Sequence, residues 1–130
     1  MPLLPMMANH QKQNMREHLV AVQQIVSGLA ADDFAAIEQA SKRIGFSEQM
    51  GQMCQHLGAG APAFTEQALQ FHTTADGITS AAQAKDKAAV LQALDATLKT
   101  CTACHDTWKQ RIVDEAGWKQ ATASAPPMPH

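Results

Sequence analysis

The sequence predicts an all-α protein built as an antiparallel four-helix bundle. Three observations predict it. Apolar residues recur at steps of three and four through four long stretches. Turn-forming residues fall mostly between those stretches. No stretch alternates apolar and polar residues as a half-buried strand does.

The first helix is expected from about Asn9 to Ala30, with Met15, Leu19, Val22, Val26 and Leu29 on one face. Asp32 reads as the N-cap of a second segment, whose inner side carries Phe34, Ile37, Ser41 and Ile44. Gly45 interrupts it, and Ser47 restarts a helix through Met50, Met53, Cys54 and Leu57. Gly58 to Pro62 is the clearest loop. A third helix runs from about Ala63 to Ala82 with Phe64, Ala68, Phe71, Ala75 and Ile78 in phase. Asp86 opens the fourth, whose stripe of Val90 or Leu91, Leu94, Leu98, Cys101, Cys104 or His105, Trp108 and Ile112 suits a bundle seam. That helix is expected to end near Ala116-Gly117. Residues 1–8 then form an N-terminal extension, 9–117 the bundle and 118–130 a disordered tail with Pro126, Pro127 and Pro129.

At 130 residues the chain has room for one small core. Its formal charge of −2 argues against a nucleic-acid surface or a polybasic membrane patch. No apolar run reaches the roughly 18 residues of a membrane span. Aromatics are 5% with no Tyr, which leaves room for another large apolar body in the core. Three cysteines, an odd number, exclude a fully paired disulfide framework. The start, Met1 to Met7, is too short and Pro-rich for a signal peptide. Either the chain is cytosolic or a leader was removed before the numbering begins.

Cys101-Thr102-Ala103-Cys104-His105 is C-x-x-C-H, the attachment signature of c-type haem. On a helix, residues three and four apart share a face, so both thiols and the imidazole project together. Two thiols can add to the two vinyl groups of a haem, and His105 then lies under the iron as proximal ligand. The alternatives are a structural zinc half-site, a redox dithiol and inert cysteines. Zinc wants four ligands, and beyond Cys54 and a stray His there is no second paired motif. A redox C-x-x-C belongs at a strand-to-helix junction, not deep in a helix. The expected cofactor is one covalent haem c with its iron. Covalent haem of this type is normally installed outside the bacterial cytoplasm, which makes the expected location periplasmic.

The motif lies in the last helix of four, not near the N-terminus. In this the chain resembles class II cytochromes c, the cytochrome c′ family, over about Asn9 to Ala116. The carrying residues are Cys101, Cys104 and His105, the following Asp106 to Lys109, and the run Met15 to Gly28. The family often places an aromatic residue and then Arg shortly after the haem histidine. Trp108 and Lys109 fill those places as haem environment, with Lys for Arg.

The resemblance implies that the first helix covers the distal face of the haem. Five-coordinate members keep an apolar side chain there and bind NO or CO. Low-spin members place a methionine there and carry electrons, and Met15 makes this chain a candidate of that subgroup. The alternative for Met15 is an ordinary core methionine. Lys12 and Leu19 share its side and would face the iron if the register shifted; His18, one turn on, could also ligate, but reads first as a buried or rim histidine. Met50 and Met53 read as pocket packing or core, and Cys54 as a small buried hydrophobe, with a reactive thiol or an intermolecular disulfide as the alternative. His56 and His72 read as structural or exposed, His10 as part of a frayed terminus and His130 as part of the tail.

The expected function is single-electron transfer with His105 and Met15 as axial ligands, and NO or CO binding at an open site is the alternative. A haem-free interaction bundle is the third reading. No nucleophile and base pair, phosphate loop or carboxylate pair argues for an enzyme. Expected partners are other redox proteins, with no nucleic acid and no membrane span. The resemblance adds a possible homodimer through the first two helices.

Overall fold

A computed structural model describes residues 1–123. The order is β1 (Pro2–Leu3), α1 (Pro5–Ala31), α2 (Phe34–Lys42), α3 (Glu48–Leu57), α4 (Pro62–Gln83), α5 (Lys87–Thr107), β2 (Arg111–Ile112) and α6 (Glu115–Thr122). The fold is an all-α helical bundle whose four rods are α1, the broken pair α2 and α3, α4, and α5. Short connections fold consecutive rods back on one another. No helix among the described residues is long and apolar enough to cross a membrane.

Local chemistry sets most helix ends. Pro5 and Pro62 open α1 and α4, where their missing N–H costs nothing. The side chains of Asp33, Ser47 and Asp86 each accept a backbone N–H three residues on, from Ala36, Met50 and Ala89 at 3.0, 3.1 and 3.0 Å. Asp32 ends α1 in the left-handed region at φ 52°, which Asp tolerates better than most residues. Its carboxylate also meets Lys87 Nζ at 2.8 Å, tying the start of α5 to the end of α1. At Gly45 a side chain would strike the Asp76 carboxylate, which accepts the Phe46 N–H at 3.1 Å.

Two apolar clusters hold the rods together. One joins Ala21, Ile25 and Leu29 of α1 to Ile37, Ala40, Phe71, Ala75, Ile78, Val90 and Leu94. The other gathers Leu3, Met7, Ala8, Leu57, Ala61 and Phe64, with Met53, Cys104, Trp108 and Trp118 against it.

The observed fold corrects three details of the expected one. The face of α1 that packs on other helices is Ala21, Ile25, Gly28 and Leu29, while Leu19 and Val26 stay 70% and 52% exposed. Small residues win that contact because they let α1 approach α2 closely; a side chain at Gly28 would come within 2.6 Å of Ile37 Cγ1. The last long helix ends at Thr107, not near Ala116-Gly117. Trp108 turns to extended backbone, and the chain then pairs in parallel with β1, Arg111 N–H donating to Met1 O and Val113 N–H to Leu3 O at 2.8 and 2.9 Å. Both ends are more structured than an extension and a tail: Leu3, Met7 and Ala8 are buried, and α6 reaches Thr122. The rest of the expected tail, residues 124–130 with the three prolines and His130, lies outside the described residues.

Candidate haem-binding site

A cavity of about 350 Å³ opens between α1 and α5, within the range of small-molecule and cofactor sites. Six residues of α1 line it along one face: Gln11, Asn14, Met15, His18, Leu19 and Val22. Their spacing explains the sequence stripe. The apolar residues Met15, Leu19 and Val22 look into this space, whereas Ile25 and Leu29 pack on helices.

Facing them, α5 contributes Leu98, Thr100, Cys101, Cys104 and His105. The structure therefore brings both thiols and the imidazole of the C-x-x-C-H motif to one cavity wall, and Met15 to the opposite helix. All three cysteines are free. Burial raises the Cys101 and Cys104 thiols above their ordinary value, and Cys101 adds to the effect at Cys104. Among the described residues no group of three or more His, Cys, Asp or Glu side chains is placed to hold a metal ion by itself.

The inner end of the cavity is made by Phe64, Ala68, Phe71 and His72 of α4 and by Met50, Met53, Cys54 and Leu57 of α3. Burial pushes the Cys54 thiol up to about 11, so it behaves as a small apolar group there. His72 is 3% exposed and its Nδ1 lies 2.8 Å from the Ile44 carbonyl. A carbonyl only accepts, so Nδ1 carries the proton. Burial lowers the His72 pKa, partly offset by that hydrogen bond and by Asp76. His18 stacks on Phe71 with ring centres 4.8 Å apart and meets the edge of His72 at 5.5 Å. Burial pushes its pKa down to about 4, His72 pushes the same way, and Glu17 opposes them.

Trp108 and Lys109 sit at the mouth, in a groove that also holds His105, Met15, Lys12 and Arg16. Trp108 donates its Nε1–H to Gln67 Oε1 at 2.6 Å and stands edge-on to Phe64, 5.9 Å between ring centres. Lys12 lines this groove and not the main cavity, and Leu19 lines the main cavity and not the groove. His56 is exposed near Trp118, 6.4 Å between ring centres, and does not reach the site.

The sequence reading missed Gln11 and Gln67. Gln11 is buried on the cavity wall and accepts from Gln110 Nε2 at 2.7 Å. Its position four residues before Met15 was the available signal. Gln67 carried no signal, because its partner Trp108 lies on another helix end.

The donor set fits a haem. Two thiols and an imidazole share one helical face, a thioether lies on the facing helix, and the walls between are largely apolar. A helical bundle holding C-x-x-C-H against such a cavity is the build of a c-type cytochrome. The cytochrome c′ family model matches residues 55–109, from α3 through α4 and α5 to Lys109, and bears out the family read from the sequence. The match includes the whole haem motif and ends without α1. Neither the curated proteins nor the solved structures offer a match.

Proposed function

We propose that this haem c cytochrome is a periplasmic carrier of single electrons, with His105 and Met15 as the two axial ligands. The observation that carries the proposal is that Met15 of α1 and His105 of α5 line the same cavity from opposite helices. Haem iron, when bound, supplies the one-electron couple. The chain's part is to hold and tune it. Cys101 and Cys104 would hold the macrocycle to α5 through two thioethers. His105 sits one residue beyond the second thiol, so its imidazole would be delivered to the iron along with the thioethers. Met15 supplies a soft thioether, which favours the ferrous state and raises the potential. Two strong ligands held by two helices would keep the coordination alike in both oxidation states and reorganisation small. The apolar walls, Leu57, Phe64, Phe71 and Val22 among them, exclude water and raise the cost of the extra ferric charge. Trp108 and Lys109 frame the mouth, where a redox partner would meet the haem edge.

Leu19 favours a second reading. It lines the cavity one turn from Met15 and, over the iron, would leave an open position for NO or CO. The visible spectrum separates the two. Purified protein, oxidised and then reduced with dithionite, is expected to give sharp, resolved α and β bands in the reduced form. A broad reduced band without that resolution would replace electron transfer with gas binding.

A further inference from the structure

The wall opposite the haem motif carries two donors and not one. Met15 and His18 are three residues apart on α1, so they are neighbours on one helical face, and both line the cavity. We infer that His18 is a reserve iron ligand, taking the sixth position whenever the Met15 thioether is absent or released. The inference rests on the reading of this cavity as a haem site with Met15 as resident ligand.

Three features carry it. First, the His18 ring is uncommitted: it is only half-buried and forms no hydrogen bond with another described residue, whereas His72 has spent Nδ1 on the Ile44 carbonyl. Second, the ring is held on the cavity side by its stack on Phe71 and its edge contact with His72, both themselves lining residues. Third, open space adjoins the ring on a second side. His18, Asn14 and Met50 also border an adjoining pocket that includes Glu17, Val20 and Arg43, so the ring sits between two spaces and is not wedged into one. An imidazole nitrogen suits iron at least as well as a thioether and is the harder donor. Exchanging the thioether for it lowers the reduction potential, because methionine ligation is what raises it. The consequence is that loss of Met15 does not open the iron to diatomic gases; it gives a bis-histidine haem through His105 and His18.

The test uses the full-length protein with haem attached, as wild type, Met15→Ala, His18→Phe and the double variant Met15→Ala/His18→Phe. Phe keeps an aromatic ring for the Phe71 stack. Haem retained by the chain on a denaturing gel, and unchanged far-ultraviolet circular dichroism, establish that each variant is assembled. Ferric electron paramagnetic resonance then reads the ligands. The expected result is a low-spin, two-nitrogen signal in Met15→Ala with a lowered potential, and a high-spin, CO-binding haem only in the double variant. A high-spin Met15→Ala that binds CO as fast as the double variant overturns the inference and leaves Met15 ligation standing. If the wild type already lacks methionine ligation, the Met15 reading fails instead. His18→Phe then decides: a change to high spin upholds His18 as a donor, and an unchanged spectrum overturns it.

Discussion

Met15 and His105 stand on α1 and α5 and line one cavity from its two sides, although 90 residues of chain separate them by number. They also share the groove at its mouth with Lys12, Arg16, Trp108 and Lys109. Between the two helices there is space where two neighbouring rods of a plain bundle would be packed together. The packed contacts lie to either side, around Ile25, Ile37 and Ile78 in one cluster and around Leu3, Leu57 and Phe64 in the other.

Cys101 and Cys104 both line the cavity, so each is expected to hold one thioether. Cys101→Ser and Cys104→Ser should each keep covalent haem through one bond, with the ferrous pyridine complex shifted by the remaining vinyl group. The double variant should lose haem on a denaturing gel. Covalent haem in the double variant would mean that Cys54 or another group makes the bond.

His18 and His72 are expected to make stability fall with acid. His18 is pushed from 6.5 to about 4 and His72 is lowered as well, both mainly by burial. In the unfolded chain both return to the ordinary histidine value. As pH falls from about 6.5 towards 4, the unfolded state binds more protons than the folded state, so folding stability drops across that window. Above it, the contribution is fully present. Urea denaturation at pH 7 and pH 5 should give the difference, and His18→Phe should reduce it. An equal drop in the variant would assign the acid sensitivity to other groups.

Gly28 lets α1 lie close on α2. A Cβ there would approach Ile37 Cγ1 to 2.6 Å and the Asp33 carbonyl to 3.1 Å. Gly28→Ala gains about 1 kcal/mol of helix propensity. Overpacking of a tight contact costs about 1–3 kcal/mol. The overlap involves a backbone carbonyl as well as a side chain, so the cost should win and the variant should be the less stable by thermal denaturation. A stabilised Gly28→Ala would mean that the two helices separate easily.

Much of this was legible because local chemistry writes it into the sequence. Asp33, Ser47 and Asp86 are capping types ahead of periodic stretches, and they cap. The sequence places the cap of the second segment at Asp32; in the structure the neighbouring Asp33 takes that role and Asp32 takes the left-handed turn. The C-x-x-C-H spacing was legible because two vinyl additions and an axial bond require it. The inner face of α1 was harder. Met15, Leu19 and Val22 keep the period of a packed face but look into a cavity, and periodicity cannot tell one from the other. The end of α5 at Thr107 had no glycine or proline to mark it; it is set by pairing between Arg111-Ile112 and Pro2-Leu3, two residues a side, too short to show a period. The contact of His18 with His72 joins α1 to α4 and left no local trace.

The central claim is that Met15 holds the sixth position opposite His105. Near-infrared magnetic circular dichroism of the ferric protein reads this directly, through the charge-transfer band specific to a methionine sulfur on low-spin haem. The account predicts that band in the wild type and its loss in Met15→Leu, with haem still attached in both. A wild-type protein without the band, or a Met15→Leu variant that keeps it, would contradict the account.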